Sequence, residues 1–223
     1  YSGRSEQLIA GLLEKFTAET GIVVQARYGD SAELAAQLLE EGSASPAQVF
    51  FAQDAGALGA VDEAGLFGPL PDKVADAIPA AYRSPAGTWT GVSGRVRVIA
   101  YDGEAVPAAE VPRSIFDLTE PRWKGQVALA PTNASFQSFV TAMRVAEGDQ
   151  VTKQWLERLV DNDVQKFEKN ALILDAVNAG QVELGLINHY YWYEKAAEVG
   201  KSAMRAQIAF TAPGDPGSLV NVA

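Results

Sequence analysis

Short β-favouring apolar runs alternate with amphipathic helical stretches along this chain, and that alternation confines it to an α/β architecture. Apolar residues at Leu8, Ile9, Leu12, Leu13 and Phe16 lie on one helical stripe, with Ser5 as N-cap and Thr20-Gly21 as the stop. Ile22-Val23-Val24 then predicts a strand, Asp30 or Ser31 caps a second helix through Leu34, Leu38 and Leu39, and Gln48-Val49-Phe50-Phe51 reads as a short buried strand. Strand, helix, strand in this order implies a mostly parallel sheet covered on both faces.

Residues Gly68 to Gly91 are rich in Pro, Ala and Gly without a clear period, which predicts irregular connection and short helix. Val96 to Tyr101 is a β-favouring run placed to leave one lobe and enter another. Beyond it, Ser114 to Leu118 starts a helix, Gln126 to Leu129 forms a strand, and helices follow at Ala134–Ala146, Val151–Val160 and Ala171–Ala179. The strand Val182 to Ile187 runs into Asn188-His189-Tyr190-Tyr191-Trp192-Tyr193, and a helix continues to Val199. Ala206 to Phe210 and Ser218 to Val222 are strands separated by the turn Pro213 to Gly217. An opening on Tyr1-Ser2-Gly3-Arg4-Ser5 and a stop in mid-strand at Ala223 suggest that a leader, an upstream strand and a C-terminal part have been cut away.

Composition narrows the chemistry. A net charge of −10 over 223 residues argues against a nucleic-acid backbone or an anionic lipid surface as partner and favours a cationic or neutral ligand. With no cysteine and one histidine, His189, thiolate sites and multi-histidine zinc sites are excluded, leaving oxygen and nitrogen chemistry. No run of about 18 apolar residues is present to span a bilayer.

Three features carry chemistry. The four aromatics from Tyr190 to Tyr193 stand at the carboxyl end of a strand, where open α/β sheets place ligands. Tyr190 and Tyr191 would face opposite ways in a strand, so they share a ligand only if the chain turns there into a helix. Phenolate is a hard oxygen donor whose pKa of about 10 a trivalent metal can pull below neutrality. A packed aromatic wall explains the same residues from spacing alone. Pro131-Thr132-Asn133-Ala134-Ser135-Phe136 is a polar turn opening a helix, suited to an anion or to plain N-capping. Arg95, in Ser93-Gly94-Arg95, is able to chelate an oxyanion bidentately or to form an ordinary surface ion pair.

Taken together, these stretches resemble the bacterial ferric-ion-binding proteins, the bacterial transferrins among periplasmic binding proteins. The matching segments are Tyr1-Ser2-Gly3, Thr20-Gly21-Ile22, Ser45 to Phe51, Ser93 to Val98, Pro121-Arg122-Trp123-Lys124-Gly125, Leu186 to Tyr193 and Asp215 to Val220, in family order from first residue to last. The resemblance implies a two-lobe type II periplasmic-binding-protein fold with mixed sheets and a hinge, divided as lobes 1–95 and 96–213 with a crossover strand, 214–223, returning to the first lobe. It implies Fe(III) held in the interlobe cleft by Tyr190 and Tyr191 with a synergistic anion, carbonate, phosphate or citrate. The family's anion contacts fall on Asn133, Ala134, Ser135, Asn170 and Asn188, with the arginine of carbonate-using members at Arg95. Ser5 stands where the best-known members have a histidine ligand, and Gln53, followed by Asp54, where they have a glutamate. The first lobe is thereby left with Asp54 or Tyr1 as its own donors.

The function so implied is that of a monomeric receptor for an ABC importer, exported to the periplasm or tethered outside the membrane, handing iron to a permease. It binds no nucleic acid and is not an enzyme. The competing expectation is a binding protein of the same fold for an organic anion such as a phosphonate, or for a small cation. A third, an enzyme using His189 with Ser135 or Asp54, lacks any nucleophile elbow in the sequence.

Overall fold

A computed structural model describes residues 1–222, which divide into two compact units, Tyr1–Gly94 with Val222 and Arg95–Asn221.

The first unit contains α1 (Glu6–Thr20), α2 (Ser31–Glu41), α3 (Ala55–Glu63) and the single turn α4 (Asp72–Ala75). Helix α1 ends where expected, on Gly21 in the left-handed region (φ 72°), with its N–H returned to Thr17. Helices α2 and α3 bury Ala35, Leu38 and Val61 against Tyr1, Phe50 and Leu66. The two strands expected here do not form. Ser2 makes single parallel bridges to Tyr28 and Phe51, while Ile22 and Val23 stand exposed and Val49 is 71% exposed. β-Branched side chains favour extension, but a strand needs a neighbour on which to pair, and among the described residues the segment at Ser2 supplies only single bridges.

The second unit holds all but the first residue of β1 (Gly94–Asp102), then β2 (Val127–Leu129), α5 (Ala134–Glu147), α6 (Asp149–Asp161), β3 (Gln165–Lys166), α7 (Asn170–Asn178), β4 (Leu184–Asn188), α8 (Tyr190–Val199), β5 (Ala206–Ala209) and all but the last residue of β6 (Val220–Val222). The helix expected from Ser114 is a 3-10 segment, Ile115–Thr119. The sheet order is β3-β2-β4-β1-β5, with β6 also on β1. The sheet is mixed rather than mostly parallel. β2 runs parallel to β3 and β4, while β1 is antiparallel to both β4 and β5. β4 and β5 are therefore parallel to each other, a strand–helix–strand pair through α8 with β1 lying between them.

Alternation along the central strands supplies a core on each face. On one face Ile99, Leu184 and Leu186 meet Phe136, Phe139, Met143 and Trp155 of α5 and α6. On the other, Val98, Ala100 and Ile187 meet Ile173, Leu174, Val177 and Trp192 of α7 and α8. Each such fully buried side chain contributes about 1.5–3 kcal/mol relative to exposure. Two of the three buried indoles are satisfied, Trp155 Nε1 donating to the Ile115 carbonyl at 2.9 Å and Trp192 Nε1 to the Ala206 carbonyl at 2.7 Å, while Trp123 Nε1 has no partner among the described residues. Where β1 ends, Arg205 grips the buried Asp102 carboxylate through two nitrogens at 2.7 and 2.6 Å. These cores fix the carboxyl end of β4 and the first turns of α5, α7 and α8, from which the candidate site is built.

Candidate functional site

Strand β4 ends at Asn188, His189 already has helical backbone (φ −56°, ψ −38°), and α8 starts at Tyr190. The switch matters because consecutive helical residues are about 100° apart rather than on opposite faces. The Tyr190 and Tyr191 rings consequently stack, with centroids 4.5 Å apart and an interplanar angle of 26°. Burial holds the Tyr191 phenol well above the ordinary range. The Tyr190 phenol, as hydrogen-bond partner and then as a charge, and the Glu194 carboxylate push the same way, while Asn170 works against them. Tyr191 therefore keeps its proton at neutral pH unless a cation displaces it.

Behind the tyrosines lies a buried polar ring centred on Arg97, a residue whose role the sequence reading missed. Its guanidinium donates to Asn170 Oδ1 and to Ser135 Oγ, both at 3.0 Å, and lies over the Phe136 and Phe139 rings. Ser135 Oγ donates to Asn133 Oδ1 at 2.6 Å, and Asn170 Nδ2 reaches the same oxygen at 3.2 Å. Asn188 Nδ2 adds a bond to Ser135 Oγ at 3.1 Å. Burial, and then the charge of Arg95, push Arg97 down to about 9, while the Tyr190 and Tyr191 phenols, as anions, pull it back up. The guanidinium is thus a buried cation at neutral pH with amides and a hydroxyl for company, a setting that favours an oxyanion.

Four of the expected anion-site positions are brought together here: Asn133, Ser135, Asn170 and Asn188. Ala134 lies beside them as the first residue of α5. Asn133 occupies the cap position of α5 without capping it, because its side-chain oxygen is taken up by Ser135 and Asn170. Ser135, Asn170 and Tyr190 each sit in the first turn of a different helix, so three positive helix ends point into one region. The guanidinium that reaches them is Arg97, two residues beyond Arg95 on β1; Arg95 is buried as well. A charged side chain within the apolar run Val96 to Ala100 was the signal available, since a core strand keeps a charge only for a purpose.

In the first unit the expected donors are otherwise engaged or exposed. Asp54 is buried as the N-cap of α3, accepting the Gly56 and Ala57 N–H groups at 3.0 and 3.2 Å. Gln53 bonds through its side chain to the Gly3 carbonyl, and its backbone N–H donates to Ser31 Oγ at 2.9 Å. Ser5 is exposed at the start of α1 and makes no side-chain capping bond. Tyr1 shares its phenol with the Glu41 carboxylate at 2.9 Å.

The outer side of Tyr191 lines a pocket of about 260 Å³ between α7 and α8, shared with Leu174, Asp175, Glu194, Lys195 and Glu198. Lys195 pairs with Asp175 at 2.5 Å, which leaves the rim acidic. Two stacked phenols, a buried guanidinium with neutral partners and an acidic rim together suit a small, highly charged cation accompanied by an anion.

Comparison with known proteins places the chain in a lineage. Residues 44–223 match the bacterial extracellular solute-binding protein family. The chain is 36% identical over 222 residues to the Fe(3+)-binding periplasmic protein of Serratia marcescens, a match that covers all of this chain and 65% of the relative, so it spans less than two thirds of that protein. Iron-bound HitA from Pseudomonas aeruginosa superposes with a TM-score of 0.93 at 31% identity, over the whole chain and 72% of HitA. A Trichodesmium protein in complex with iron and citrate superposes at 0.85 with 30% identity, again over the whole chain and 72% of the other.

Proposed function

The chain belongs to the bacterial extracellular solute-binding protein family, and within it we propose that it is a ferric-iron receptor that holds Fe(III) through Tyr190 and Tyr191 and passes it, outside the cell membrane, to the permease of an ABC importer. The observation that carries this reading is the stacked tyrosine pair beside the Arg97 ring. Two phenolates neutralise two of the three charges on Fe(III), and a cationic guanidinium close by makes the remaining charge harder to bury. An oxyanion between metal and guanidinium resolves both, accepting from Arg97 and the first turn of α5 while giving oxygen donors to the iron. Carbonate, phosphate and citrate all fit that description. The ferric relatives, and the iron and citrate in the Trichodesmium complex, support the same chemistry. No catalytic role is assigned, and the receptor acts as a monomer without a nucleic-acid partner.

A second reading is favoured by Arg97 alone: an organic oxyanion such as a phosphonate seated on the polar ring with the tyrosines stacked on it. Ferric titration of the chain separates the two. Iron bound to tyrosinate adds a visible charge-transfer band, strengthened by carbonate, phosphate or citrate, whereas a metal-free oxyanion site produces no colour and binds phosphonate without iron.

A further inference from the structure

We propose that His189 is a positioning residue for the ferric site, its imidazole replacing a backbone carbonyl in the sheet so that the tyrosine pair is anchored to β1. This rests on the ferric reading above and adds a residue to it. β1 and β4 pair antiparallel up to Arg97 opposite Asn188, so the next facing residues are Val96 and His189. The His189 N–H donates to the Val96 carbonyl at 3.1 Å, one half of the exchange expected of such a pair. The other half needs an acceptor for the Val96 N–H. At His189 the chain has turned into the helix, and the His189 carbonyl accepts from Trp192 N–H at 3.3 Å instead. His189 Nδ1 takes its place, accepting the Val96 N–H at 3.4 Å.

The ladder is thereby carried one residue past the end of β4, up to the residue before Tyr190. The same ring stands edge-on to Tyr190 (centroids 6.0 Å, 85°) and to Tyr193 (6.3 Å, 75°), bracing the first turn of α8 from the side. Two phenol oxygens that must reach one metal tolerate only about 0.5 Å of misplacement, so the clamp acts on iron through the tyrosines without touching it. Sequence spacing does not show this role, which depends on the β1–β4 register and on the carbonyl leaving the ladder.

The test compares parent, His189→Leu and His189→Asn. Asparagine Oδ1 lies about where Nδ1 does and accepts, whereas leucine fills space and accepts nothing. In the iron-free proteins, hydrogen exchange at the Val96 amide is expected to quicken in His189→Leu and to return toward the parent rate in His189→Asn. On ferric titration with phosphate, His189→Leu is expected to bind about 10- to 100-fold more weakly with a shifted charge-transfer band, and His189→Asn to recover most of both. Unchanged Val96 exchange in His189→Leu, or equal impairment of the two variants, overturns the proposal. A parent that takes up no iron refutes the ferric reading instead, and the exchange comparison still decides whether the clamp exists.

Discussion

Arg97 and Ser135 meet at 3.0 Å, guanidinium donating to hydroxyl, and this contact ties the central strand β1 to the first turn of α5. It sets a buried cation beside a helix start, with the neutral side chains of Asn170 and Ser135 as its hydrogen-bond partners. An arriving anion gains a bidentate partner and relieves the cost of the buried charge in one step.

The first prediction follows from that cost. Millimolar phosphate or carbonate should raise the melting temperature of the iron-free protein, because a ligand at 100 times its Kd adds about 2.7 kcal/mol of stability. Arg97→Ala should abolish the rise, and Arg97→Lys should keep only part of it, since an ammonium lacks the planar fork. Differential scanning calorimetry with and without anion makes the comparison. An anion-induced rise that survives Arg97→Ala moves the anion site elsewhere.

Iron affinity should depend steeply on pH. Burial holds Tyr191 above the ordinary phenol range, so loading releases its proton. If both phenols deprotonate on binding, affinity falls by about a hundredfold per pH unit of acidification near neutrality. Competition against a chelator, corrected for the chelator's own protonation, measures the slope. A slope near zero contradicts phenolate ligation.

How much of this was legible in the sequence varies with how local the cause is. The strand-to-helix junction at Asn188–Tyr190 was readable because an apolar run gives way to helical periodicity within two residues. Arg95 and Arg97 were not separable in the same way. They differ by two positions, the period of a strand, so both share one face of β1, and which guanidinium reaches Ser135 and Asn170 depends on tertiary packing. Ile22 to Val24 looked like a strand by propensity and is not one, because pairing is a property of two segments. Asp54 was expected as a donor from its position, and the structure adds a second task for it, since one of its carboxylate oxygens caps α3.

From that last point comes a prediction about stability. Asp54→Ala should cost about 1 kcal/mol through loss of the α3 cap and leave ferric affinity within about twofold of the parent. Urea unfolding and ferric competition on the same samples separate the two effects. A large affinity loss at unchanged stability makes Asp54 a ligand after all.

Packing behind the anion ring offers another. A Cβ on Gly185 in β4 would overlap the Ile173 side chain of α7 and press on Val177 at 3.2 Å. Gly185→Ala should destabilise by about 1–3 kcal/mol and, by displacing α7, weaken anion binding through Asn170 as well. Calorimetry read alongside phosphate titration checks both. Destabilisation with anion affinity intact separates Gly185 from the site.

The measurement closest to the central claim is ferric titration of the parent, Tyr190→Phe and Tyr191→Phe in phosphate buffer, followed by visible absorbance, with circular dichroism confirming that the fold is kept. Removing one hydroxyl leaves the ring and its stacking in place. The parent is expected to bind one equivalent with a tyrosinate charge-transfer band, and each variant to lose the band's intensity together with at least about a hundredfold in affinity. Parent-like affinity and colour in both folded variants would contradict the assignment of the metal to this tyrosine pair.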